Sequence, residues 1–127
     1  MPAKILVVED DAGTRRLLEF TLRQAGFKVV LAQDGIESVQ VAQNEYPDAI
    51  IMDVGLPCMG GYEACSRLRT SPTTAHIPIL ILTARVQAGE QALSVRAGAN
   101  DFLTKPVELD VIVAHVEKLL DRWGWRA

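Results

Sequence analysis

The chain has no surplus of basic charge. Its 13 Lys and Arg stand against 16 Asp and Glu, a net charge of −3. There is therefore no polycationic surface for a nucleic-acid backbone, and direct nucleic-acid binding by this chain is not expected. An attached DNA-binding partner is still compatible with this charge. No apolar run approaches the roughly 18 to 20 residues of a membrane span. The opening Met1-Pro2-Ala3-Lys4 leads straight into a strand-like segment, so no secretory leader is expected. The only two cysteines, Cys58 and Cys65, form neither a metal-ligand spacing nor a disulfide framework. A reducing, cytoplasmic setting is the corresponding expectation. Linkers, low-complexity segments and internal repeats are also missing.

What is present is apolar content in a regular order. At 127 residues and 49% hydrophobic, the chain suits a single domain, 1–127, whose core can offset the entropy of ordering. Strand-like runs at Ile5–Val8, Val29–Ala32, Ala49–Met52, Ile79–Leu82 and Asp101–Thr104 alternate with helix-like stretches. The spacing predicts helices over Thr14–Ala25, Ile36–Asn44, Tyr62–Arg69, Gln87–Ala97 and Leu109–Trp123. Leu17, Leu18, Thr21, Leu22 and Ala25 are expected on the inner face of the first helix, with Gly26 as its stop. Ile36, Val39 and Ala42 or Gln43 should line the second. Leu109, Ile112, Val113, Val116, Leu119 and Leu120 should line the last. Strands this short and without polar alternation imply a parallel sheet buried on both faces, hence a doubly wound α/β domain. The fifth helix ends near the last residue, and no output domain is expected.

The chemistry gathers at strand ends. Glu9, Asp10 and Asp11 follow the first strand, Asp53 the third, Thr83 the fourth and Lys105 the fifth. In an open α/β sheet those ends converge on the ligand crevice. Carboxylates crowded there disfavour one another's ionised forms, and a divalent cation relieves this. Mg²⁺ takes one or two carboxylates plus water and phosphate oxygens, so the cluster reads as a Mg²⁺ site built to receive a phosphoryl group. An aspartate can itself be the nucleophile and form an acyl phosphate. A metal and the Lys105 amine would then neutralise the transferring group, and the Thr83 hydroxyl would donate to one of its oxygens. Asp11 alone reads more simply as the cap of the first helix.

In these segments the chain resembles the receiver domain of bacterial two-component response regulators, the CheY-like family. The resemblance runs from about Lys4 to Leu120. It rests on Ile5-Leu6-Val7-Val8-Glu9-Asp10-Asp11, Pro47-Asp48 through Asp53 with Leu56-Pro57 and Gly61, Leu82-Thr83-Ala84, and Ala97-Gly98-Ala99-Asn100-Asp101-Phe102-Leu103-Thr104-Lys105-Pro106. It implies a flavodoxin-like (βα)5 sheet of order 2-1-3-4-5. It also implies that Asp53 is the phosphoacceptor, that Asp10, Asp53 and the Gly55 backbone carbonyl bind Mg²⁺ (or Mn²⁺ in its place), and that Glu9 holds the ion through water. Thr83 and Phe102 would be the switch residues, and Lys105 would pair with the phosphoryl oxygens. The donor would be a phosphohistidine on a sensor histidine kinase or a phosphotransfer protein. A downstream protein or a second copy would dock on the face formed by the fourth helix, fifth strand and fifth helix. The domain would signal rather than turn over substrate, beyond accepting phosphoryl groups from small donors and slowly releasing them. Two departures stand out: Gly60 precedes Gly61 where many relatives carry a polar or acidic residue, and Phe102 has no phenolic hydroxyl. The former implies a more mobile loop and leaves phosphoryl lifetime open.

Other function classes compete. A haloacid dehalogenase-type phosphatase also uses Asp, a hydroxyl, Lys and Mg²⁺, but its nucleophile ends the first strand in a D-x-D pattern, whereas position 55 here is Gly. A phosphorylation-independent interaction domain predicts a degraded site, yet every chemical position is filled. A flavodoxin needs a phosphate-cradling loop where Asp10-Asp11-Ala12 would repel phosphate. Away from the site, His76 reads as a surface loop residue and His115 as solvated or partner-facing. Cys58 reads as a small loop residue rather than a redox thiol. Arg85 is equally a rate-tuning or interface residue and an ordinary surface arginine. Trp123 and Trp125 pack under the last helix, form a partner patch or mark a junction, and those three readings stay open.

Overall fold

The computed structural model describes residues 2–56, 58–84 and 89–123. Strands and helices alternate as β1 (Lys4–Val8), α1 (Ala12–Gln24), β2 (Lys28–Ala32), α2 (Gly35–Glu45), β3 (Ala49–Asp53), α3 (Gly61–Thr70), β4 (Ile79–Thr83), α4 (Glu90–Ala97), β5 (Asp101–Thr104) and α5 (Leu109–Trp123). All four pairings are parallel and the order is β2-β1-β3-β4-β5, the flavodoxin-like arrangement expected.

Successive side chains of each strand point to opposite faces, and both faces are covered. On one, Ile5, Val7, Ile51, Leu80 and Leu82 pack with Leu18 and Leu22 of α1 and with Ile112, Val116, Leu119 and Leu120 of α5. On the other, Leu6, Val8, Ile50, Met52, Ile79 and Ile81 pack with Ala42 of α2 and with Ala64, Cys65 and Leu68 of α3. This two-sided burial is why the strands show no polar alternation. Each of the large side chains contributes about 1.5 to 3 kcal/mol by leaving water.

Two expected inner faces need correction. Leu17 is 51% exposed and lines an open groove of about 420 Å³ between α1 and the start of α5, instead of joining the core. Ala25 caps α1 and is exposed. On α2, Ile36 is 46% exposed while Gly35, Ser38 and Ala42 are buried. The physical reason lies at Gly35: a Cβ there would stand 2.2 Å from the Met59 carbonyl oxygen. The helix sits so close to the β3–α3 loop that only small residues fit its inner side. Ser38 satisfies its buried hydroxyl by donating to the Gly35 carbonyl at 2.6 Å.

The last helix matches its expected bounds and inner face. The expected start of the fourth helix at Gln87, Arg85, the Trp123 side chain and Trp125 lie outside the described residues. No described helix is long and apolar enough to cross a membrane.

Candidate functional site

The strand order reverses at β1 and β3, which opens the crevice at their carboxyl ends. There the two acidic segments meet. Carboxylate oxygens of Glu9, Asp10 and Asp53 all lie within 4.8 Å of one another. Asp53 ends β3, with one oxygen accepting from its neighbour Val54 N at 2.9 Å. Asp10 is exposed, whereas Glu9 is only 3% exposed.

Glu9 is tied on every side. Its amide donates to the Ala32 carbonyl at 3.1 Å. One carboxylate oxygen accepts from Asp11 N at 3.2 Å, and the other from Lys105 Nζ at 2.9 Å. Burial pushes the Glu9 carboxyl above its usual value, against the lowering effect of the Lys105 hydrogen bond. Lys105 also lies 3.6 Å from Asp53. Burial alone would lower the Lys105 amine. The Glu9 hydrogen bond and the charges of Asp53 and Glu9 outweigh it, so the amine is held above its usual value. The ammonium thus pairs with two of the three carboxylates, and the cluster keeps an excess of negative charge on hard oxygens. That donor set fits a divalent cation with oxygen preference.

The remaining expected residues surround this centre. Thr83 ends β4 and is buried, and its carbonyl accepts from Lys105 N at 2.7 Å, which fixes the backbone carrying the lysine. Gly55 is exposed two residues past Asp53. Phe102 on β5 is half-buried against the cluster packed by α2 and α3. Asp11 takes the capping role: it accepts from Thr14 N at 2.8 Å and Thr14 Oγ1 at 2.7 Å. Those bonds, the backbone one first, hold its carboxyl below the usual range.

The loop after Asp53 is set by Gly61, where a Cβ would lie 2.2 Å from the Asp53 carbonyl oxygen and 2.9 Å from Val54 Cα. Helix α3 begins directly against the strand end. Cys58 in this loop is exposed and adopts a left-handed φ of +67°. Burial pushes the second thiol, Cys65, up to about 11. His76 is exposed as expected. His115 is not simply solvated: its Nδ1 lies 2.5 Å from Asp101 Oδ2.

Three contacts have no motif in the sequence. Arg15 Nη1 donates to the Glu9 carbonyl at 2.9 Å and to the Asp10 carbonyl at 3.4 Å. Tyr62 Oη donates to Glu90 Oε2 at 2.6 Å, which joins α3 to the first turn of α4. Arg69 bonds to the carbonyls of Gly98, Ala75 and Ile77 and to Asn100 Oδ1. Only the position of Arg15, one turn after the acid cluster, could have drawn notice beforehand.

This sequence pattern and geometry recur in known proteins. The model of the response regulator receiver domain matches residues 5–117. Response regulator MprA of Mycobacterium sp. (strain KMS) is 43% identical over 122 residues, covering 96% of this chain and 52% of that protein. The chain therefore spans about half the length of the curated relatives it matches. The Vibrio cholerae chemotaxis protein CheY4 superposes with a TM-score of 0.89 at 32% identity, over 94% of this chain and 100% of that one. The receiver domain of the sensor histidine kinase PA1611 from Pseudomonas aeruginosa PAO1 superposes with a TM-score of 0.83 at 36% identity, over 97% of this chain and 98% of that one. That structure has a magnesium ion coordinated in its active site cleft.

Proposed function

Because the chain belongs to the family of response regulator receiver domains, a signalling domain, we propose that residues 1–127 act as one receiver unit that accepts a phosphoryl group on Asp53. The carrying observation is the Lys105 amine, 2.9 Å from Glu9 and 3.6 Å from Asp53, beside a cluster of three carboxylates. In this reading Asp10, Asp53 and the Gly55 carbonyl hold Mg²⁺ or Mn²⁺ directly, and Glu9, whose two oxygens are already engaged, acts through water. When bound, the ion supplies positive charge that offsets the carboxylates and the incoming phosphoryl oxygens.

The donor is a phosphohistidine of a sensor kinase or phosphotransfer protein. An Asp53 carboxylate oxygen attacks phosphorus, the P–N bond breaks, and the imidazole leaves with the electron pair. Lys105 exchanges its carboxylate contacts for a phosphoryl oxygen, and the Thr83 hydroxyl donates to another. Phe102 follows Thr83 inward and repacks the surface of α4, β5 and α5. That surface already exposes Leu93 (44%) and Val95 (65%), which suits a downstream partner or a second copy. A bias of a few kcal/mol between the two arrangements reverses their populations. The same site accepts small phosphoryl donors and slowly releases the group to water, without turnover of a dedicated substrate. The relatives lend no support to the phosphatase or phosphorylation-independent readings.

The test is intact-mass measurement after incubation with acetyl phosphate and Mg²⁺. The native chain gains one phosphoryl group and Asp53→Asn gains none. A stable adduct on Asp53→Asn would sink the assignment.

A further inference from the structure

Asp10 differs from its two partners in the cluster. Glu9 is held by Lys105 and by Asp11 N, and Asp53 sits on the end of a paired strand. Asp10 is exposed and lies beyond the last ladder residue of β1, between that strand and the helix cap at Asp11. The direction of its side chain is set by its Cα–Cβ bond, and so by the peptide planes on either side of its Cα. The plane before it carries the Glu9 carbonyl, and the plane after it carries the Asp10 carbonyl. One nitrogen of Arg15 bonds both oxygens, at 2.9 and 3.4 Å.

We propose that Arg15 is a positioning residue for the metal site: by bridging the Glu9 and Asp10 carbonyls it fixes the two planes that aim the Asp10 carboxylate into the crevice. The inference rests on the divalent-ion reading given above. A guanidinium suits the task because each terminal nitrogen carries two N–H donors held in one plane, and it stays charged at any pH the protein meets. Groups that orient ligands in this way typically change metal affinity tenfold or more when removed.

The clamp opposes simple electrostatics, which gives the test a sign. A cation beside an acidic site repels another cation, so loss of the Arg15 charge alone would tighten divalent binding. Loss of the clamp weakens it. The probe is Mn²⁺ itself, with the free ion counted by electron paramagnetic resonance in titrations of the native chain, Arg15→Met and Arg15→Lys. We expect Arg15→Met to bind Mn²⁺ about tenfold more weakly, and Arg15→Lys, which keeps a donor and the charge, to recover part of that loss. Phosphoryl uptake by Arg15→Met should return toward the native level once Mg²⁺ is saturating. Arg15→Gln, a neutral residue too short to span both carbonyls, carries the same expectation should Arg15→Met not fold. Unchanged or tighter Mn²⁺ binding in a folded, uncharged variant overturns the clamp. Failure of the native chain to bind Mn²⁺ overturns the metal reading itself, so the two failures are told apart.

Discussion

At the amino end of the sheet Arg69 donates to the carbonyls of Gly98, Ala75 and Ile77 and to the Asn100 amide, whose oxygen also accepts from Ile79 N at 2.9 Å. Lys4 N meets Asp48 at 2.8 Å there, and its ammonium meets Glu45 at 3.2 Å. At the carboxyl end Lys105 pairs with Glu9 and Asp53, Arg15 bonds only backbone carbonyls, and the Asp10 carboxylate completes a cluster of three. One end has donors and acceptors in balance and joins α3 to the segments that lead into β4 and β5. The other is left with excess negative charge. A balanced cluster gains stability from being complete, whereas a surplus gains it only from something added. On the proposed phosphoacceptor reading, the difference separates the groups that hold the fold from those held ready for chemistry.

The sharpest way to break this contrast is to remove the cation at each end. Lys105→Met should slow phosphoryl uptake by a factor on the order of 10² to 10³, because an electrostatic contact to the transferring group is lost. Its thermal stability should fall without Mg²⁺ and recover when Mg²⁺ is added. Arg69→Met should cost about 2 kcal/mol, since four acceptors, three of them part-buried, lose their donor at once. Calorimetry with and without Mg²⁺ should show no recovery, and uptake by the folded fraction should match the native chain. If Mg²⁺ rescues both variants equally, the two ends are not different in kind.

The smallest effect is the pH response. The folded-state carboxyl of Glu9 is raised by burial, so the stability it contributes is fully present below its usual value and is lost as pH rises through the folded one. Without Mg²⁺, melting temperatures should therefore gain from Glu9 as pH falls through its raised folded-state value toward the usual one, and Glu9→Gln should flatten that gain. With Mg²⁺, ion and proton compete, and the stabilisation by the ion should shrink over the same window. Asp11 works in the opposite sense, holding the fold above its usual value and losing its contribution as pH falls through the lowered one.

Most of the sheet was legible in the residues because a strand buried on both faces leaves a continuous apolar run with sharp edges. Asp101–Thr104 and Leu109–Trp123 needed no adjustment. The acid cluster with Lys105 was legible because its members stand at the carboxyl ends of β1, β3 and β5, the same rim of one parallel sheet. The inner face of α2 was not. Periodicity favours Ile36, but the approach of the Met59 backbone to Gly35 rotates the small residues inward, and no local pattern encodes a neighbour twenty-odd residues away. Arg69 and the Tyr62–Glu90 bond were hidden for the same reason: their partners lie 28 or more residues off for the key contacts. Arg15 is a local contact, yet its acceptors are carbonyls, which every residue has and no sequence displays.

The adjacent glycines at the start of α3, Gly60 as its cap and Gly61 as its first residue, are unlike each other, and that is useful at the bench. Gly61 has no room for even a methyl group, while a Cβ at Gly60 would find only the Val54 carbonyl oxygen at an ordinary 3.8 Å, on a backbone of φ −66° that any residue adopts. Position 60 is thus a ready attachment point for a small fluorophore or spin label, a short distance along the loop from Asp53. With Cys58 replaced by serine and Cys65 shielded in the core, a cysteine introduced there would be the sole accessible thiol among the described residues, and its dye would report arrivals at the crevice in real time.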